Sequence, residues 1–132
     1  MRTLENYSVP ESSTEGLKVI AADPPGAGGA HHRYEIAGFD TMGNRSRLVH
    51  DPVPHKTVLL FQNGPVAEYG INGLTDEALL AIVADRLGAF QAGPYAYPAG
   101  GRALMLIQAA LDELKSRTKD RIIRHVADSY AV

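Results

Sequence analysis

The stretch Gly93-Pro-Tyr-Ala-Tyr-Pro-Ala-Gly-Gly101 separates two segments of helical periodicity, and it constrains the fold more than any other feature. Glycine and proline at this density oppose a continuous helix, so the flanking segments must turn back on each other. Before the link, Thr75 suits an N-cap, and Asp76 and Glu77 follow in the first turn, where the helix dipole favours anions. Leu79, Ile82, Val83, Leu87 and Phe90 then share one apolar face, which predicts a helix ending near Gln91. After the link, Leu104, Ile107, Leu111, Leu114 and Thr118 recur at spacings of three and four. That pattern predicts a second helix from about Arg102 to Val126, packed against an antiparallel partner. The expected helical hairpin spans 75–126.

Upstream the pattern is that of strands. Tyr34, Ile36 and Gly38 alternate with Glu35, Ala37 and Phe39 as in a half-buried strand, and Thr41-Met-Gly-Asn44 reads as a turn. Arg45–Val49 is expected as a second strand, ended by the prolines of His50-Asp-Pro-Val-Pro54. Thr57–Phe61 is the best strand in the chain. Asn63-Gly64 after it is a strong hairpin signal, which makes Val66–Tyr69 a short returning strand at an edge. Asn72-Gly73 closes the β region, 32–73. Residues 1–30 are expected as a flexible arm, within which Leu17–Ile20 offers an edge strand. The Gly-rich run Asp23–Gly29 lacks the Gly-Lys-Ser/Thr of a phosphate loop and reads as a linker. The fold class expected is α+β, a small N-terminal antiparallel sheet followed by a long C-terminal antiparallel helical hairpin, with residues 31–132 as a single domain.

Composition removes several functions. Thirteen basic and fifteen acidic residues give a net charge of −2 with histidine neutral, which argues against a broad basic surface for long nucleic acid. The absence of cysteine removes thiol nucleophiles, Cys-based zinc sites and disulfides. No run of about 18 apolar residues is present to cross a membrane, and no charged-then-apolar leader follows Met1. A soluble, cytoplasmic protein is expected.

The two expected helices differ in length. About seventeen residues make roughly 25 Å and about twenty-five make roughly 37 Å, so the second should overhang the first by about 12 Å. The overhang carries Ile122, Ile123 and Val126, a cluster that calls for cover by the sheet or by another subunit, and it favours a symmetric homo-oligomer. It also gathers Arg117, Arg121 and Arg124 on one helical face. Glu113 stands four residues before Arg117, and Asp120 four before Arg124, whereas Arg121 has no acid three or four residues away. Two readings stand: a solvated helix end complementing the dipole, or an anion site in which guanidinium forks hold phosphate.

No catalytic constellation emerges. His31, His32, His50 and His55 lack the helical spacing of a zinc site, and no serine sits in a Gly-x-Ser-x-Gly elbow. No metal or cofactor is expected. Phe90 reads as core from its place on the apolar face. The alternative is a stacking platform for a base at the mouth of the hairpin, with Tyr95 and Tyr97 nearby.

Phe61-Gln-Asn-Gly-Pro65, Gly70-Ile-Asn-Gly-Leu-Thr75, Asp85-Arg-Leu-Gly-Ala-Phe-Gln-Ala-Gly-Pro-Tyr-Ala96, Arg117-Thr118 and Arg121 together carry a resemblance. Over roughly 32–126 the chain resembles the phage proteins with the two-helix hairpin shared by anti-Thoeris and anti-CBASS sponges. It is closest to anti-Thoeris members, which place a small β region before the hairpin. The resemblance implies a non-enzymatic protein that sequesters cyclic nucleotide immune signals without cleaving them. The implied ligands are cyclic ADP-ribose isomers and cyclic dinucleotides or trinucleotides, held at subunit contacts of a dimer or a hexamer in the host cytoplasm. By motif match, Phe90 would stack on the ligand base, and Arg117 and Arg121 would hold its phosphates, with Arg124 beside them. Relatives usually carry an asparagine ten positions after the aromatic residue, where this chain has Gly100, and the missing amide removes a polar contact. A second site for cyclic oligonucleotides, through Arg102 or backbone donors of the glycine loop, is a further expectation. The tail Arg124-His-Val-Ala-Asp128 also departs from the usual Arg-Gly-Val-Glu-Gly. The competing expectations are an assembly protein without ligand, and an enzyme degrading the same molecules with His125 as its only candidate base.

Overall fold

A computed structural model describes residues 1–130, with side chains described as far as Ile123. The chain forms two compact units, 1–74 and 75–132, and the α+β class expected from the sequence is the one found.

The first unit is a four-stranded antiparallel sheet in the order β1 (Arg2–Thr3), β2 (Lys18–Ala21), β3 (Arg33–Ala37), β4 (Lys56–Leu60). Register pairs Val19 with Ile36, and Tyr34 with both Ala21 and Leu59, so these apolar side chains share one face. Ala21 is the one fully buried apolar residue among those described. Tyr34 meets Phe61 edge to face at 5.6 Å between ring centroids. The expectation of a flexible arm over 1–30 is corrected, because this segment supplies β1 and β2. Its Leu17–Ile20 patch forms an inner strand rather than an edge. The Asp23–Ala30 stretch is closed by Asp23, whose carboxylate accepts from the amides of His32 at 3.1 Å and Arg33 at 3.0 Å, and by the Gly26 amide on the Ala30 carbonyl at 2.8 Å. A side chain thus adds backbone partners beside Pro24 and Pro25, which have no amide hydrogen to donate.

Two other strand expectations are corrected, the first for the same reason. Arg45–Val49 forms turns: Asn44 Oδ1 accepts from the amide of Ser46 and Asp51 Oδ2 from that of Leu48, both at 2.8 Å. These local bonds compete with a ladder. Val66–Tyr69 is a single helical turn, α1, after Pro65, whose φ of −63° is already helical. The Asn63-Gly64 hairpin therefore does not form. Instead Gln62 donates to the carbonyl of Gly70 at 2.9 Å, and the Asn72 carboxamide clamps Asn63, its Oδ1 accepting from the Asn63 amide at 2.9 Å and its Nδ2 donating to the Asn63 carbonyl at 2.8 Å. The loop ends as Leu74 bridges Phe61 in parallel.

The second unit consists of α2 (Asp76–Gln91) and α3 (Pro98–Tyr130), which pack against each other. Thr75 caps α2, its hydroxyl accepting from the amide of Ala78 at 3.2 Å. Leu104, Ile107, Leu111 and Leu114 are half-buried, as their spacing predicts, while Thr118 is exposed. On α2 the expected face is only partly right. Leu79 and Leu87 are half-buried with Leu80, Ala84, Gly88 and Gln91, whereas Ile82, Val83 and Phe90 are exposed. α2 is apolar around most of its circumference and α3 covers one side. α3 begins one turn earlier than expected, at Pro98, since proline is well suited to a first helical position. With 16 residues in α2 and 33 in α3, the lengths are about 24 and about 50 Å. The overhang is about 26 Å, twice that expected.

Candidate functional site

Phe90 lies in the last turn of α2, 45% exposed, so its reading as core is corrected. The guanidinium of Arg86, one turn earlier, stands 5.8 Å from the ring centroid, a cation–π contact. Arg86 escaped the sequence reasoning, although its four-residue separation from Phe90 was the signal available.

The link beside Phe90 is organised by Gln91. Its Oε1 accepts from the amide of Tyr97 at 3.0 Å, and its Nε2 donates to the Tyr97 carbonyl at 2.8 Å. Gly100 is buried in the first turn of α3. A Cβ there would lie 2.6 Å from Gln91 Nε2 and 2.8 Å from the Tyr97 ring. Arg102 is exposed on the same first turns.

Arg117 and Arg121 are exposed, one turn apart on α3. Among the described residues, neither joins an ion pair, and the spacing-based pair of Glu113 with Arg117 does not form. Ile122 and Ile123 beside them are 59% and 65% exposed. Arg124, His125 and Val126 lie outside the described side chains. From the start of α3, Arg117 is about 28 Å and Arg121 about 34 Å along the helix axis. Phe90 is at the hairpin mouth, where the link joins α2 to that same start. Within one chain the fold therefore brings Phe90 together with Arg86, Gln91, Gly100 and Arg102. It places Arg117 and Arg121 at the other end, at the base of the overhang.

The first unit holds a cleft of about 560 Å³ whose lining includes Phe39, Arg47, Val53, Lys56 and Val58. Its two cations are engaged: Arg47 donates to Thr41 Oγ1 at 2.8 Å and to the carbonyls of Asp51 and Pro52 at 3.3 Å, and Lys56 pairs with Glu35. The cleft therefore offers little free charge to an anion. Asp23 is drawn both ways: burial pushes its carboxyl up, and the amides of Arg33 and His32 pull it down further, leaving it below its ordinary value. Glu35 is lowered by hydrogen bonds from Lys56 and Arg33. Both are structural ties of the sheet. Among the described residues no three metal-ligating side chains converge, and no helix is long and apolar enough to cross a membrane.

No family model matches the chain. Over 70 residues the chain is 37% identical to Thoeris anti-defense 1 of Bacillus phage SBSphiJ7, an alignment covering 53% of this chain and 49% of that protein. The chain thus spans about half the length of the curated relative it matches. That similarity supports the anti-Thoeris family as the one this chain resembles.

Proposed function

We propose that this chain is a phage anti-defence protein that binds a cyclic nucleotide immune signal and withholds it from its receptor without cleaving it. Its ligand is a cyclic ADP-ribose isomer, a cyclic dinucleotide or a cyclic trinucleotide, taken up in the host cytoplasm. Phe90 stacks on a base, and Arg117 and Arg121, with Arg124, hold phosphates. Gly100 shapes the mouth through its backbone, and Arg102 offers a further charge there.

The observation that carries this reading is the separation of the two half-sites. Phe90 lies at the hairpin mouth and Arg117 about 28 Å along α3 from its start there, whereas a compact pocket of ~300–1,000 Å³ is only ~8–12 Å across. One chain alone cannot bring both to one ligand. Two chains set antiparallel can, with the hairpin mouth of one against the overhang of the other. The same overhang exposes Ile122 and Ile123, apolar surface of the kind buried in symmetric assemblies. A homo-oligomer, a dimer or a hexamer built from dimers, thus completes the site and covers the apolar helix end together.

The test is calorimetric titration against cyclic ADP-ribose isomers and cyclic di- and trinucleotides, followed by heat release and chromatography of the bound molecule. Tight binding with the ligand recovered intact is expected. An altered ligand would make the protein an enzyme, and an absence of binding across the panel would leave it an assembly protein.

A further inference from the structure

We infer that Gln91 is the positioning residue for the ligand contact at Phe90, and that Gly100 is bare because its side-chain space belongs to that latch. The inference deepens the functional reading above and rests on it. α3 has no serine, threonine or aspartate at its start; Tyr97 precedes Pro98, and the Tyr97 amide is one of the orphan donors of a helix N-terminus. Gln91 supplies its acceptor from across the link and takes the Tyr97 carbonyl with its other end. Both polar ends of one carboxamide are thereby committed to a single residue. The link it spans contains Gly93 and Pro94 and is otherwise held by weak turns, Gly93 to Phe90 at 3.2 Å and Ala96 to Gly93 at 3.3 Å.

Phe90 is the neighbour of Gln91 in the last turn of α2, which closes through the Ala92 amide on the Gly88 carbonyl at 3.1 Å and the Gly93 amide on the Phe90 carbonyl at 3.2 Å, with the Gln91 latch just beyond. Once the latch opens, the turn frays and the exposed ring loses its fixed direction. A side chain at position 100 has the same consequence by another route. Its Cβ would meet Gln91 Nε2 and the Tyr97 ring, so the carboxamide must shift from the position in which it holds Tyr97. Loss of the latch and filling of position 100 are therefore one event, and their effects should not add.

The experiment compares Gln91→Leu, Gly100→Ala, the double variant, Gln91→Glu and Phe90→Ala in the full chain. Cyclic ADP-ribose and the cyclic di- and trinucleotides are the calorimetric probes, with amide hydrogen exchange at Tyr97 as a second readout. Phe90→Ala should weaken binding at least tenfold, as the functional reading requires, without changing exchange at Tyr97. Gln91→Leu and Gly100→Ala should each weaken binding about five- to tenfold and speed Tyr97 exchange, and the double variant should be no weaker than the worse single. Gln91→Glu keeps the acceptor for the Tyr97 amide and should recover part of both. Wild-type affinity in Gln91→Leu and Gly100→Ala beside a weakened Phe90→Ala would overturn the inference alone. So would losses that multiply in the double variant. A wild-type protein that binds none of the probes would overturn the functional reading, and the inference with it.

Discussion

The carboxamide of Gln91 holds Tyr97 at both its amide and its carbonyl, at 3.0 and 2.8 Å, across a six-residue separation. The two helices are thus started in different ways. α2 carries its own cap in Thr75, while α3 is capped by the helix before it. The same residue type recurs in the first unit, where Gln62 accepts from the amide of Asn72 at 3.0 Å and donates to the carbonyl of Gly70. In both places a glutamine after phenylalanine closes a loop containing Gly-Pro.

Removing the local cap has a simple expected cost. Thr75→Ala deletes the acceptor for the Ala78 amide and should lower stability by about 1 kcal/mol in urea unfolding, with no change in ligand affinity.

The two-chain site predicts complementation. Phe90→Ala and Arg121→Ala chains should each bind at least tenfold more weakly than wild type. Unfolded together and refolded as a mixture, they should regain high-affinity sites, up to about a quarter of the total for random pairing in two-fold dimers. Calorimetric stoichiometry reads this directly, and no recovered sites would mean that both residues act within one chain.

Charge at the exposed isoleucines should split the assembly. Ile122→Glu with Ile123→Glu places two carboxylates in the surface proposed as buried between copies. Sedimentation is expected to show a smaller species, with the helix content of the hairpin kept. An unchanged sedimentation coefficient would place the contact between copies elsewhere.

Acid should loosen the sheet first. Asp23 and Glu35 both sit below their ordinary values of 3.8 and 4.5. For a carboxyl lowered by folding, the unfolded chain binds more protons as pH falls. The stabilisation is therefore complete above the ordinary value and is lost as pH drops through the folded one. Stability should be level near neutrality and decline below about pH 4.5. Asp23→Asn should flatten part of that decline, as followed by circular dichroism at several pH values.

Gly38 ends β3 at a φ of +88°, and a Cβ there would collide with the carbonyl oxygen of Gly16. Gly38→Ala combines a left-handed backbone with a backbone clash and should destabilise the first unit by about 1–3 kcal/mol in chemical denaturation.

Much of the hairpin was legible in the chain. The Thr75 cap, the end of α2 at Gln91 and the seam Leu104–Leu114 follow from spacing and capping chemistry, which are local. So does the crowding of Arg117 and Arg121, because positions on one helix are fixed by its pitch. The strands at Arg33–Ala37 and Lys56–Leu60 were visible in their alternation. What spacing could not supply was the partner of each side chain. Arg2–Thr3 and Lys18–Ala21 join the sheet, and Arg45–Val49 does not, because Asp23 bonds backbone amides across its loop while Asn44 and Asp51 bond amides two and three residues away. α2 presents apolar residues on more than one side, and only the placement of α3 decides that Leu80 and Ala84 turn inward while Phe90 faces out. Periodicity reports that a face is apolar; tertiary packing chooses which face is covered, because the burial free energy depends on contact area and not on order along the chain.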